Sequence, residues 1–68
     1  MNIAKNIKAR MGDLSVMDIS HASKLGPATV YRIKSGATQD PNTKTVRKIA
    51  KAIEELTGQP CTASELMK

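Results

Sequence analysis

The sequence predicts an all-α fold, a compact bundle of about five short helices that forms a single domain over residues 1–68. Three observations lead to this prediction. Apolar residues recur at intervals of three and four along the chain, which is the period of an amphipathic helix. Residues that start and stop helices flank these stretches. A chain of 68 residues with one Tyr and no Phe or Trp builds a small, aliphatic core, and such a domain buries only about 60% of its unfolded surface.

The first three helices are each predicted from inward-facing apolar residues and from terminal signals. The first helix ends at a candidate stop residue, Gly12. The second opens with a capping box, in which Ser15 is the cap and Asp18 follows three residues later. The third begins at Pro27, because proline is tolerated at the first helical position, and it ends at Gly36. The inward-facing residues of these three helices are Ile3, Ile7, Met11, Ile19, Ala22, Val30 and Ile33.

The fourth helix carries the clearest amphipathic pattern of the chain. Asn42 is its candidate N-cap, and Gly58 follows its end. A stripe at positions i, i+3, i+4 and i+7 predicts its buried face. This stripe consists of Val46, Ile49, Ala50 and Ile53. A fifth, short helix is predicted from a second capping box, Thr62 to Glu65.

Charge is distributed unevenly along the chain. Lys and Arg outnumber Asp and Glu by 11 to 6; residues 1–51 carry a net charge of +7, whereas residues 52–68 carry −2. A basic body favours a polyanionic partner such as nucleic acid. A modest positive charge that serves solubility alone is the alternative interpretation.

Several other function classes lack their residue patterns in this sequence. The single cysteine, Cys61, cannot form an internal disulfide and suits a reducing cytoplasm. No apolar run approaches the ~20 residues of a membrane span, and no secretory pattern is present. His21 has no Cys or acidic neighbour at metal-ligand spacing, so we interpret it as a surface residue. Because no nucleophile–base pair, glycine-rich phosphate loop or catalytic carboxylate pair is found, we expect no enzymatic activity, cofactor or metal.

The third predicted helix places Tyr31 off its apolar face. Val30 and Ile33 point to the core, whereas Tyr31 lies about 100° round the helix from Val30, on an outward face that it shares with Arg32. A short helix that exposes an aromatic ring and an arginine, and that a tight turn joins to another short helix, has the form of a recognition helix. Such a helix fits the major groove of DNA.

The stretch LSVMDISHASKLGPATVYRIKSG, residues 14–36, resembles the helix-turn-helix of the Cro/CI (XRE-like, lambda-repressor-like) transcriptional regulators, with the motif itself over about 15–36. The buried positions of that motif are filled by Ile19, Ser20, Leu25, Val30 and Ile33. Downstream, PNTKTVRKIAKAI is similar to the helix that follows the motif in this family. The resemblance implies a lambda-repressor-like DNA-binding domain whose third helix enters the major groove.

The sequence departs from the family pattern at several positions. Lys24 stands in the turn where the family usually has glycine, and a left-handed backbone there would strain a lysine by roughly 1 kcal/mol. Ser23 replaces a usual apolar residue, which we expect to weaken the packing of the turn. Val16 replaces a glutamine that contacts the DNA backbone in many members. Gly26 replaces the common serine cap at a cost of a few tenths of a kcal/mol.

The candidate base contacts lie at the start and on the outward face of the third helix. They are Pro27, Ala28, Thr29, Tyr31 and Arg32. Arg32 is the leading candidate because arginine binds guanine O6 and N7 bidentately; a phosphate or a nearby carboxylate is its alternative partner. Tyr31 would pack on a sugar-phosphate strand or a base edge, or else on the loop after Gly36. Pro27, Ala28 and Thr29 have helix initiation as their alternative role.

The candidate phosphate contacts surround this helix. They are Lys24, Lys34, Ser35, Asn42, Lys44 and Arg47. The last three are included because the N-terminus of the fourth helix can present N–H groups to an anion. For each lysine, a solvated surface charge is the alternative interpretation.

Two functional hypotheses follow. The first is a cytoplasmic, sequence-specific DNA-binding regulator, a phage or prophage repressor or Cro-like protein. It would bind a pseudo-palindromic operator as a homodimer, with half-sites about 10 bp apart. The expected dimer patch consists of Leu56, Leu66 and Met67. The second hypothesis is an antitoxin-like or antirepressor-targeted interaction module on the same fold, whose main ligand is another protein.

Overall fold

A computed structural model of the chain describes residues 3–37 and 41–67. Within these ranges the protein has five helices and no strand, which confirms the all-α prediction. The helices are α1 (Ile3–Met11), α2 (Val16–Ser23), α3 (Pro27–Ser35), α4 (Thr43–Thr57) and α5 (Ala63–Leu66). They form a body of 26 × 22 × 21 Å. None of the described helices combines the length and the apolar character that crossing a bilayer requires.

The predicted helix-start signals of α2 and α4 are confirmed. The Ser15 hydroxyl accepts a hydrogen bond from the Asp18 N–H, and the Asp18 carboxylate accepts one from the Ser15 N–H, each at 3.1 Å. At α4, the Asn42 side-chain oxygen accepts a hydrogen bond from the Lys44 N–H at 2.7 Å. These bonds satisfy N–H groups that have no partner inside the helix.

Among the described residues, four that follow helices have a left-handed backbone. Three are the predicted stop residues Gly12, Gly36 and Gly58, and the fourth is Lys24, with φ 62° and ψ 23°. Glycine adopts this conformation without steric cost, whereas a side chain strains it. The prediction of a left-handed lysine in the turn after α2 is therefore confirmed.

The core lies where the apolar faces of the helices meet. Ile19 of α2 and Val46 and Ile49 of α4 are completely buried, and full burial of such a side chain stabilises the fold by about 1.5–3 kcal/mol. Helix α2 packs on α4 and α3, and α1 packs on α3, α5 and α4. Helices α3 and α4 share no extensive contact within the described residues. Helices α1 and α2 therefore support both of them.

Helix α5 folds back onto α1. The Asn6 side-chain N–H donates to the Leu66 carbonyl at 2.8 Å, and Arg10 forms an ion pair with Glu65. The Thr62 hydroxyl accepts from the Glu65 N–H, as the predicted capping box requires. The Glu65 carboxylate, however, pairs with Arg10. The second half of that predicted box is thus replaced by a contact with α1.

Candidate nucleic-acid interface

The outward face of α3 presents five side chains to solvent. They are Ala28, Thr29, Tyr31, Arg32 and Ser35, all exposed. The Tyr31 side chain is 60% exposed, whereas Val30 and Ile33 beside it are each 1% exposed. The expected division of α3 into a buried and an outward face is therefore confirmed. The alternative position for Tyr31, packed on the loop after Gly36, involves residues 38–40, which lie outside the described residues.

Two serine hydroxyls hold the turn between α2 and α3. Ser20 donates to the Leu25 carbonyl, and Ser23 accepts a hydrogen bond from the Leu25 N–H at 3.3 Å. Ser23 is buried, and its hydroxyl also lies 3.5 Å from the Ser20 carbonyl. Ser23 thus adds hydrogen bonds to the turn, and the weaker packing expected from replacing an apolar residue stays a prediction. The hydroxyl binds turn backbone groups that an apolar residue could not satisfy.

Lys24 occupies the centre of this turn, and its side chain is exposed. The following Leu25 is half-buried against the core, and Gly26 then takes an extended backbone and precedes Pro27, the first residue of α3. Three residues thus separate the two helices. This short connection restricts the position of α3 relative to α2.

The remaining predicted phosphate contacts differ in their exposure and in the hydrogen bonds that they already form. Lys34 is half-buried, and the Ser35 hydroxyl donates to the Arg32 carbonyl at 3.2 Å, so a phosphate would have to replace that bond. Asn42 is exposed and uses its side-chain oxygen as the α4 cap, which leaves its amide N–H groups unassigned. Lys44 is exposed in the first turn of α4. Arg47 lines a groove between α4 and α5.

Two basic residues of α4 are absent from the predicted contacts, and one of them, Lys51, lines that groove. Lys48 and Lys51 are exposed on α4, and with Lys44 and Arg47 they form one row at positions i, i+3, i+4 and i+7. We call these four residues the basic stripe. The same spacing that identified the buried face of α4 could have identified the stripe, because both follow the helical period. The groove has a volume of about 330 Å³.

The predicted dimer patch is only partly exposed. Leu66 is 0% exposed, because α5 packs its side chain into the core between α1 and α4, and it cannot contact a second subunit. Met67 is half-buried, and Leu56 is 42% exposed. Met17 on α2, which the sequence reasoning did not select, is 51% exposed.

The two residues considered for other chemistry have ordinary surroundings. His21 is exposed, as predicted. Cys61 is 6% exposed, and burial raises the pKa of its thiol; Arg10 opposes this rise, while Glu65 and Glu54 add to it. Within the described residues no cluster of His, Cys, Asp and Glu is arranged to hold a metal ion.

Comparison with models of protein families, with curated proteins and with solved structures gives no match for this chain. Functional inference therefore rests on the two surfaces described above, the outward face of α3 and the basic stripe of α4.

Proposed function

We propose that this protein is a sequence-specific DNA-binding transcriptional regulator that inserts α3 into the major groove. Helices α2 and α3 would form a helix-turn-helix within a lambda-repressor-like domain. By occupying an operator, the protein would exclude RNA polymerase, as a repressor or Cro-like protein does.

The observation that carries the proposal is the division of α3 into two faces. Val30 and Ile33 hold the helix against α1 and α2, while Tyr31 and Arg32 extend into solvent from a helix of nine residues. An aromatic ring that is 60% exposed contributes little to folding, because it keeps most of its contact with water. On a recognition helix the same ring would pack against a sugar-phosphate strand or a base edge, and Arg32 would read guanine.

The charge and the size of the molecule support this mode of binding. A net charge of +5 favours association with the phosphate backbone. One small module reads few base pairs, so we expect two copies on a pseudo-palindromic operator. The longest dimension of the described body is 26 Å, which is less than the ~34 Å that separates successive major grooves on one side of B-DNA. Two copies can therefore lie side by side on adjacent grooves.

The test begins with selection from a pool of randomised duplexes, followed by fluorescence anisotropy titrations of the selected duplex at several salt concentrations. We expect the logarithm of the affinity to fall linearly with the logarithm of the salt concentration. Arg32→Ala should lose about 1–3 kcal/mol of discrimination at one or two base positions. Lys44→Ala should weaken binding to all sequences equally and reduce the salt slope by about one.

Gln59→Ala is the matched control, because Gln59 is exposed beyond the end of α4 and should leave both quantities unchanged. Far-UV circular dichroism of each variant verifies that it is folded. The proposal is refuted if the protein selects no sequence, if binding has no salt dependence, or if Arg32→Ala keeps the full base preference.

A further inference from the structure

The basic stripe of α4 lies opposite the buried face of the helix. All four of its side chains, those of Lys44, Arg47, Lys48 and Lys51, are exposed. Within the described residues none of them forms an ion pair; the ion pair found there joins Arg10 and Glu65. The stripe therefore presents four exposed positive charges along two turns of one helix, and the acidic Glu54 and Glu55 lie three and four residues beyond Lys51.

This charge pattern opposes the stability of the helix that carries it. Each cation of the stripe has like-charged neighbours three or four residues away, and such pairs are destabilising. The first turn of α4 has no acidic residue and the last turn no basic one; the acidic pair Glu54 and Glu55 follows the stripe instead. Both ends thus carry the charge that the helix dipole disfavours. A surface that served solubility alone would mix the two signs, so the pattern points to an anionic partner.

The second half of the stripe borders the groove between α4 and α5. Arg47, Ala50 and Lys51 line it from α4, and Thr62 and Ser64 line it from the segment at the start of α5. Glu54 also lines the groove. Its carboxylate accepts a hydrogen bond from the Cys61 N–H at 3.4 Å, which links α4 to the segment before α5. A concave groove of about 330 Å³ suits side chains of a peptide segment better than the convex surface of a DNA duplex.

The stripe and the outward face of α3 belong to different helices. Helices α1 and α2 contact both α3 and α4, and α3 and α4 share no extensive contact within the described residues. The stripe begins at Lys44 in the first turn of α4, and its second half borders the groove. Two cations beside a groove that no residue of α3 lines match an acidic protein segment.

We infer that the basic stripe and the α4–α5 groove form a docking surface for an acidic peptide segment of a partner protein. Carboxylates of the segment pair with Arg47 and Lys51, and its backbone lies against the hydroxyls of Thr62 and Ser64. This assignment places Arg47 in the peptide site rather than among the phosphate contacts. It does not depend on the proposed DNA binding.

The test uses a fluorescein-labelled peptide of alternating Glu and Ala, and a matched peptide with Gln in place of Glu. We expect the Glu peptide to bind and the Gln peptide not to bind. Lys51→Glu should weaken the Glu peptide by about tenfold, because it places a like charge against the ligand. Lys8→Glu, an equal charge change at an exposed position of α1, should weaken it by less than about twofold, since it acts only through screened long-range attraction.

Amide chemical shifts of the labelled protein then locate the peptide. Perturbations along the second half of α4 and at residues 62–64 support the inference, and perturbations confined to α3 overturn it. Equal losses for Lys51→Glu and Lys8→Glu, or no binding of the Glu peptide, also overturn it. If the peptide does not bind and Lys51→Ala lowers DNA affinity and salt slope as Lys44→Ala does, the stripe is a DNA-backbone surface instead. Failure of the wild-type protein to bind DNA would refute the proposed function and leave the peptide result unaffected.

Discussion

Replacing Lys24 with glycine is expected to make the protein more stable and to weaken its binding to DNA. Lys24 has a left-handed backbone, a conformation that Gly12, Gly36 and Gly58 adopt elsewhere among the described residues. Its side chain is exposed in the turn before α3, at the edge of the proposed DNA-binding surface. The lysine therefore has a backbone cost, and the proposed function supplies a reason for that cost.

The size of the stability effect follows from the backbone conformation. A left-handed conformation costs a non-glycine residue about 1–2 kcal/mol, whereas glycine loses about 0.4–1 kcal/mol more unfolded-chain entropy. Lys24→Gly should therefore be about 0.5–1 kcal/mol more stable than Lys24→Ala, which keeps the strain and also lacks the charge. Relative to wild type the gain should be smaller by about 0.3 kcal/mol, because a lysine near the end of α2 stabilises the helix dipole.

The assay compares wild type, Lys24→Gly and Lys24→Ala in urea and thermal unfolding, followed by far-UV circular dichroism. For a domain of this size the two variants should differ in Tm by roughly 2–8 °C. In anisotropy titrations on the selected duplex, both variants should bind more weakly than wild type, with a salt slope that is lower by about one.

The backbone strain at Lys24 and its contact with phosphate are tested separately. Equal stability of Lys24→Gly and Lys24→Ala would show that the lysine is not strained. An unchanged salt slope in both variants would show that Lys24 does not contact phosphate. Gly58→Ala provides a check on the energy scale, since φ is +73° there and an added Cβ would meet no atom within 4 Å. It should lower stability by about 0.5–1 kcal/mol through backbone strain alone.

Three further predictions concern the core, a helix cap and the buried thiol. Ile33→Ala should cost about 2–5 kcal/mol of unfolding free energy in urea titrations, whereas Tyr31→Ala should cost less than about 0.5 kcal/mol because its ring is exposed; equal losses would contradict the assigned faces of α3. Asn42→Ala should destabilise the protein by about 1 kcal/mol in the same assay through loss of the α4 cap, and an unchanged midpoint would contradict that role. Burial raises the pKa of the Cys61 thiol. The protonated thiol therefore makes its full contribution to folding stability below about pH 8.5, and this contribution is lost as the pH rises through the raised pKa. The stability difference between wild type and Cys61→Ala should therefore shift in favour of the variant at high pH, and a pH-independent difference would refute this.

Local signals in the sequence account for most of the helix boundaries. Ser15, Pro27 and Asn42 start helices where predicted, and Gly36 and Gly58 follow their ends. These signals work because each depends on a hydrogen bond or a backbone conformation within a few residues. The outward position of Tyr31 was predictable for the same reason, since the faces of a helix follow from its period.

Long-range contacts account for the predictions that did not hold. Leu66 has the apolar character of a dimer contact but lies in the core, because α5 folds back onto α1 over a separation of 60 residues. The Glu65 carboxylate leaves its expected cap for Arg10, which is 55 positions away. Neither contact has a signature in the neighbouring sequence, so the helical period alone could not reveal them.

The sequence by itself determined the all-α class, the ends of most helices and the outward face of α3, because helix period and caps act over one or two turns. The tertiary structure decided which apolar residues are internal, how α5 packs, and that Arg47 and Lys51 border a groove with Thr62 and Ser64. Such features arise from the packing of residues far apart in the chain, and packing depends on the shapes of all the helices together.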